Sequence, residues 1–334
     1  MKTDVVVGLQ YGDEGKGKAA AYLASKFNYD LVCRANGGPN AGHTVVTDKG
    51  KTFKLSQLPG DSPYCNTVYI GAGCVISISK LVEEIEILRA YKPSFKVMIH
   101  KNTHVIMEHH VEQDIKLEET YNIGTTKKGI GPCYAEAALR TGETIDNVLN
   151  NLNFSEGYVN ALRDFTEDGH VSIITGLYVD ARSVLVEMSQ GYELDPFIGN
   201  YPYVTSSSSH PGFACASLNI PTQAIRSIYG VLKPYVTYVG GDESFKDMDK
   251  NLADKIRKLG KEFGVVTGRP RRIGDFNFDR IQEAIKVYGV CSLFLNKMDI
   301  IDKIYPKNTY KQLMSNYGLP ILYGYGPKTS DYKC

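Results

Sequence analysis

Val5-Val6-Val7-Gly8-Leu9-Gln10-Tyr11-Gly12-Asp13-Glu14-Gly15-Lys16-Gly17-Lys18 decides the fold of this chain. Its apolar start shows no polar alternation, as expected of a strand covered on both faces in a parallel sheet. A glycine-rich turn bearing lysines comes next, and the helix-forming stretch Ala19–Lys26 follows the turn. Phosphate loops are built in that order: glycines let backbone N–H groups approach an anion, and the next helix's N-terminus faces it. Gly12 to Lys18 fit G-x-x-x-x-G-K, but Ala19 stands where Ser or Thr would hold magnesium. Asp13, inside the loop, offers the missing oxygen.

Further strands are read at Leu31–Arg34, Thr67–Ile70, Lys96–Ile99, Ser183–Glu187, Tyr235–Val239, Val290–Leu295 and Pro320–Leu322. Helical patterns alternate with them. Ser79 is read as the cap of a helix whose Leu81, Val82, Ile85 and Leu88 share one face. A second helix is expected over Ser244–Leu259 with Gly260 as its stop, and a third over Asn277–Lys286. This alternation predicts an α/β fold with a large, mostly parallel central sheet, helices on both faces, and a P-loop-like phosphate loop after the first strand. No linker or internal repeat divides residues 1–334, which are read as one domain. Ligands of such sheets gather at the carboxyl ends of the strands, where the unusual motifs of this chain fall.

A formal net charge of +1 gives no electrostatic case for nucleic acid or a membrane surface, so small-molecule partners are expected. No apolar run reaches the roughly 18 residues of a membrane span. The start Met1-Lys2-Thr3-Asp4 lacks a secretory apolar stretch, and a cytoplasmic location is expected. The seven cysteines show no C-x-x-C spacing and are read as reduced, mostly buried thiols.

Five more segments carry chemistry. Gly37-Gly38-Pro39-Asn40-Ala41-Gly42-His43-Thr44 sets an amide, an imidazole and a hydroxyl on flexible backbone, and His43 suits general-acid work near neutrality. Ile123-Gly124-Thr125-Thr126-Lys127-Lys128-Gly129-Ile130-Gly131-Pro132 is glycine-rich, hydroxyl-rich and basic and suits a phosphate monoester. Tyr203-Val204-Thr205-Ser206-Ser207-Ser208-Ser209 supplies more hydroxyls, reading alone equally as a polar loop or a helix cap. Thr267-Gly268-Arg269-Pro270-Arg271-Arg272 concentrates arginine, whose fork matches carboxylate and phosphate. Asn296-Lys297-Met298-Asp299 closes an apolar strand and fits N-K-x-D, the guanine-reading motif of GTP-binding proteins.

Together these segments resemble the adenylosuccinate synthetase family nearly end to end. Gln10–Lys18 resembles that family's Q-W-G-D-E-G-K-G-K. Asn40–Thr44, Gly124–Thr126, Tyr201–Ser206, Thr267–Arg269 and Lys297–Asp299 follow in the family's order. The resemblance implies a ligase that joins L-aspartate to C6 of a 6-oxopurine nucleotide through a 6-phosphoryl intermediate, using a nucleoside triphosphate and Mg²⁺. Asp13, His43, Lys16 and Gln190 would be its catalytic residues, Asp13 as base toward N1 and His43 as acid. Asn40, Thr126, Arg140, Gln190, Thr205 and Val239 would bind the purine nucleotide. Arg140 would do so from the partner subunit of a homodimer. Thr267, Arg269 and Arg271 would receive aspartate. Gly12, Gly15, Lys16, Gly17, Gly42, Thr44, Lys297, Asp299 and Gly326 would bind the triphosphate. Asp13 and the Gly42 carbonyl would hold the metal.

Three departures stand out. Tyr11 replaces the family's Trp, Gly240–Asp247 replaces G-A-G-P-F-P-T-E beside the ribose, and Gln190–Gly199 is altered. They make the chain more similar to the bacteriophage branch, which converts dGMP and L-aspartate to N6-succino-2-amino-2′-deoxyadenylate, a 2-aminoadenine DNA precursor. dGMP is therefore the expected substrate, in a host cytoplasm, with IMP the alternative and a GTP-binding switch the remote one. Lys297 and Asp299 favour GTP as donor, with ATP or dATP as the phage-type choice.

Overall fold

The strand Lys2–Gly8 lies at the centre of a ten-stranded sheet, and every residue of it after Lys2 is buried. The structure is a computed structural model that describes residues 1–40, 42–176, 181–263, 268, 270–306 and 309–334. The sheet runs in the order Tyr332–Lys333, Ile321–Gly324, Ser292–Leu295, Ile225–Leu232, Lys2–Gly8, Ser183–Glu187, Leu31–Arg34, Thr67–Ile70, Lys96–His100 and Val171–Ile174. Its pairs are parallel, except that the edge strand Tyr332–Lys333 is antiparallel to its neighbour. Alternate side chains of the central strand enter different cores: Val5 and Val7 one, Val6 the other. Each such valine, fully buried, contributes roughly 1.5–3 kcal/mol.

Three sheet strands escaped the sequence pattern, among them the two-residue edge strand Tyr332–Lys333. Ile225–Leu232 pairs directly with the central strand, yet its first half carries Arg226 and Ser227 and is only partly buried. Gly230 also weakens its apolar signature, and a Cβ there would lie 2.6 Å from Leu9 Cδ1. Val171–Ile174 is a short edge strand with mixed burial. Conversely, the expected strand at Tyr235–Val239 forms as Val236–Tyr238 but leaves the main sheet, pairing antiparallel with Arg272–Gly274.

The helix boundaries show where tertiary contacts override local signals. The first amphipathic helix is Ile78–Tyr91, and its cap is Ser77 rather than Ser79. Residues 244–249 are not helical; the helix is Lys250–Gly260, capped by Asp249. Arg272 claims the preceding loop, donating to the carbonyls of Asp242 at 2.6 Å and Phe245 at 2.8 Å and pairing with Asp247. The third expected helix forms as Phe278–Tyr288, with Asn277 as its cap rather than its first residue. Five cysteines are buried and two exposed, all free. Among the described residues no helix is long and apolar enough to cross a membrane.

Candidate active site

Gly8, Arg34, Glu187, Leu232 and Leu295 end neighbouring or nearly neighbouring strands, and the loops beyond them build one cleft of about 820 Å³. That volume is at the large end for a ligand pocket.

The loop after Gly8 is held from within by Glu14, which sequence reading left without a role. Its buried carboxylate accepts from the backbone N–H of Gln10 at 3.1 Å and Gly12 at 2.9 Å, and from Lys16 Nζ at 2.7 Å. Gln10 fastens the loop to the next strand end, exchanging hydrogen bonds with the N–H and carbonyl of Lys233. Asn296 does the same from the other side, donating to the Glu14 carbonyl at 2.8 Å. Gly12, Asp13 and Gly15 all have positive φ, and Gly15 leads into the helix Lys16–Lys26. A Cβ at Gly15 would lie 2.8 Å from Asn296 Nδ2, so glycine is needed on both counts. Lys16 lines the cleft but is paired to Glu14.

His43 begins the short strand His43–Val46 and is nearly buried. Its Nδ1 lies 2.8 Å from Glu187 Oε1, and its Nε2 lies 3.2 Å from Arg34 Nη1. A guanidinium only donates, so Nε2 presents its lone pair and the ring proton sits on Nδ1 toward Glu187. Arg34 is locked by the carbonyls of Ser56 at 2.7 Å and Gly38 at 3.0 Å. Burial pushes Glu187 up, but the His43 charge and hydrogen bond, the Gly60 N–H and Arg34 bring it below the usual carboxylate range. Glu187 and Arg34 carry no local motif; only their places at strand ends pointed to them.

Asp13 faces Arg271, whose Nε lies 2.7 Å from Oδ2. Arg271 also grips Glu262, with Nη1 2.5 Å from Oε2. Arg271 thus sits in the cleft as expected, while Thr267 and Arg269 lie outside the described residues.

The remaining expected residues divide as follows. Asn40, Thr126, Thr205, Gln190, Val239, Thr44, Gly42 and Gly326 line the same cleft. Gln190 stands at positive φ, and its buried Oε1 has no hydrogen-bond partner, as expected of an atom that awaits a ligand donor. Arg140 is elsewhere, exposed at the end of the helix Ile130–Leu139. Tyr11, in place of the family's Trp, packs against Tyr238 and Phe245 at the cleft wall, with centroids 4.9 and 5.5 Å away. Lys297 and Asp299 line the far end, where Lys297 Nζ donates to the Gly260 carbonyl at 2.7 Å. Lys18 joins them there, donating to the Gly326 carbonyl at 2.7 Å, and burial brings its pKa down to about 8.

The Asp13 carboxylate, partly exposed, and the Gly42 carbonyl are hard oxygen donors in one cleft, a set suited to Mg²⁺ rather than to a soft metal.

A phosphate loop at a parallel strand end, facing an acid, an imidazole and an N-K-x-D turn, defines a nucleotide-dependent enzyme. A family model described as adenylosuccinate synthetase matches residues 5–168 and 155–307. The adenylosuccinate synthetase of Thermoplasma acidophilum is 36% identical over 360 residues, spanning 96% of this chain and 81% of that protein. That of Heliobacterium modesticaldum is 38% identical over 340 residues, spanning 91% and 79%. Among solved structures, fully ligated adenylosuccinate synthetase from Plasmodium falciparum matches with TM-score 0.85 and 26% identity, covering 99% of each chain. Cyanophage S-2L succinoaminodeoxyadenylate synthetase, bound to dGMP and to dATP as an energy donor, matches with TM-score 0.77 and 25% identity, covering 99% of this chain and 95% of that one. The chain belongs to the adenylosuccinate synthetase family and is a carbon–nitrogen ligase of that type.

Proposed function

We propose that this chain, as one domain, joins L-aspartate to C6 of IMP and cleaves GTP to GDP and phosphate. The observation that carries this reading is the convergence of Asp13, His43 and Arg271 on one cleft, with the N-K-x-D turn at its far end. The cellular-type relatives and the closer superposition on the Plasmodium enzyme than on the cyanophage one favour IMP over the dGMP expected from sequence.

The C6 oxygen is a poor leaving group, so an amine cannot displace it directly. Asp13 takes the N1 proton and makes O6 nucleophilic; O6 then attacks the γ-phosphorus and the bond to GDP breaks. His43, its ring held at Nδ1 by Glu187, turns Nε2 from Arg34 to the departing oxygen and acts there as general acid. The aspartate amine, its carboxylates held by Arg271 with Thr267 and Arg269, then adds to C6 and expels O6 as phosphate while losing a proton. Acid–base help of this kind contributes typically ~10²–10⁴-fold. Mg²⁺, held by Asp13 and the Gly42 carbonyl, would neutralise the donor's phosphates. Asn40, Thr126 and Thr205 hold the nucleotide's 5′-phosphate, and Gln190 Oε1 meets its base. Lys16 exchanges Glu14 for the donor's phosphates, beside the glycines of its loop and Thr44. Lys297 and Asp299 read the donor base next to Gly326.

Arg140 has a task only if it crosses to the partner subunit of a homodimer. Its exposure beside the exposed Leu139 supports that reading. A cytoplasmic location fits this reading.

A second reading, dGMP with GTP, ATP or dATP as donor, rests on the Gly240–Asp247 loop and the likeness to the cyanophage enzyme. Gly241 N–H donates to the Ile123 carbonyl at 3.0 Å, so this loop is docked on the phosphate-side loop. Asp242 is tied to Asn200 at 2.8 Å and to Ser244. Incubation of IMP, dIMP, GMP and dGMP with aspartate and each donor, followed by mass spectrometry, tests both readings. A succino-product from IMP alone supports the first; one from dGMP alone overturns it. Donor hydrolysis that ignores aspartate would point instead to a GTP-binding switch.

A further inference from the structure

Glu262 is fully buried and has no step in the reaction above. Its Oε1 accepts from the Tyr235 hydroxyl at 2.7 Å and from Lys233 Nζ at 3.4 Å, with Lys297 Nζ 3.7 Å away. Its Oε2 accepts from Arg271 Nη1 at 2.5 Å. Arg271 and Lys297 both line the cleft, in the aspartate and donor-base regions, and both lean on this one carboxylate.

Several cations converge on it. Three cations, Lys233, Arg271 and Lys297, meet this one carboxylate, and Arg271 also pairs with Asp13. Burial pushes Glu262 up, but the charges of Lys233, Lys297 and Arg271 hold its pKa down at about 2, so it stays an anion. Burial brings Lys233 down to about 8 against the pull of Glu262, so the ammonium keeps its proton largely through that neighbour. Arg271 and Lys297 carry their charge from this carboxylate into the cleft. Tyr235 and Lys233 pin the carboxylate from behind, Lys233 being fixed in turn by Thr237 Oγ1 at 2.6 Å.

We propose that Glu262 is a positioning residue shared by two subsites: it sets Arg271 for the aspartate carboxylate and Lys297 for the donor base, so occupancy of one is felt at the other. This rests on the function proposed above. Without the charge, Arg271 turns wholly to Asp13 and Lys297 loses its second anchor.

The test is steady-state kinetics of the full chain carrying Glu262→Gln, which keeps the shape and an acceptor but removes the charge. The KM values for aspartate and for GTP rise about tenfold or more, while that for the purine nucleotide stays within about twofold. A folded variant with all KM values unchanged, or with all three rising together, overturns the proposal. If Glu262→Gln does not fold, Glu262→Asp, which withdraws the carboxylate, replaces it. It is expected to raise the same two KM values about threefold or more, and unchanged values overturn the proposal equally. If the wild-type chain makes no succino-product, the functional reading fails instead. Titration with a fluorescent GTP analogue still reads the Lys297 half: about tenfold weaker binding to the variant sustains the inference, and equal affinity overturns it.

Discussion

Arg271 Nε lies 2.7 Å from Asp13 Oδ2, so the arginine expected to receive a carboxylate substrate already holds the carboxylate expected to act as base. Without ligand, each satisfies the other's charge. On the proposed function, a dicarboxylate entering the cleft would compete for the same guanidinium and free Asp13 toward the purine. The pair explains how a loop acid at positive φ keeps one orientation without bound substrate.

Replacing Asp13 with Asn keeps its shape and removes its basicity. Turnover should fall by at least ~10². Arg271 keeps Glu262, so circular dichroism and the melting temperature should stay close to wild type. Near-normal kcat in the folded variant would remove Asp13 from its role as base.

Glu187 orients His43 through Nδ1 and is itself fixed by the Gly60 N–H at 2.6 Å. Glu187→Gln should lower kcat on the order of 10²-fold with the KM values for nucleotide and aspartate nearly unchanged, because a partner that fixes ring tautomer and charge acts on the reaction and not on binding. A variant that loses substrate affinity with kcat intact would contradict this.

Asp61 is buried, neither carboxylate oxygen has a hydrogen-bond partner, and burial with the nearby Glu187 charge raises its pKa well above the usual range. The folded chain therefore keeps this proton, while the unfolded chain releases it near pH ~4. Between that value and the raised folded-state pKa the native state binds more protons, so Asp61's contribution to stability falls as pH rises. Asp61→Asn should raise the melting temperature by a few degrees at pH 7, and the gain should vanish below pH ~4. A gain independent of pH would contradict the assignment.

Gly60 meets the phosphate-loop helix without a side chain between them: a Cβ there would lie 2.6 Å from Gly17 Cα. Backbone cannot yield as a flexible side chain does, so Gly60→Ala should displace the loop and cost roughly 1–3 kcal/mol. Denaturant unfolding together with the KM for GTP checks this; unchanged values in both would contradict it.

The sequence disclosed local features well. Gly12, Asp13 and Gly15 announce a phosphate loop because backbone freedom and charge sit together within a few residues, and Val5–Val7 announces its buried strand. Seven of the eight expected strands entered the main sheet. Features that depend on distant partners stayed hidden. Ser244 looks like the start of a helix until Arg272 captures the carbonyls of Asp242 and Phe245 on either side of it. Glu14 reads as a second loop acid, yet it serves as the loop's internal brace. Glu187, Arg34 and Glu262 acquire meaning only when strand ends bring His43 and Arg271 to them, and no spacing within one segment encodes that meeting.

The central claim is that O6 of the purine nucleotide becomes the leaving group as phosphate. Turnover of nucleotide labelled with ¹⁸O at C6, followed by mass spectrometry of the inorganic phosphate, tests it most directly. Each phosphate released should carry one labelled oxygen, and only when aspartate and the purine nucleotide are both present. Unlabelled phosphate alongside succino-product, or label lost to water, would contradict it.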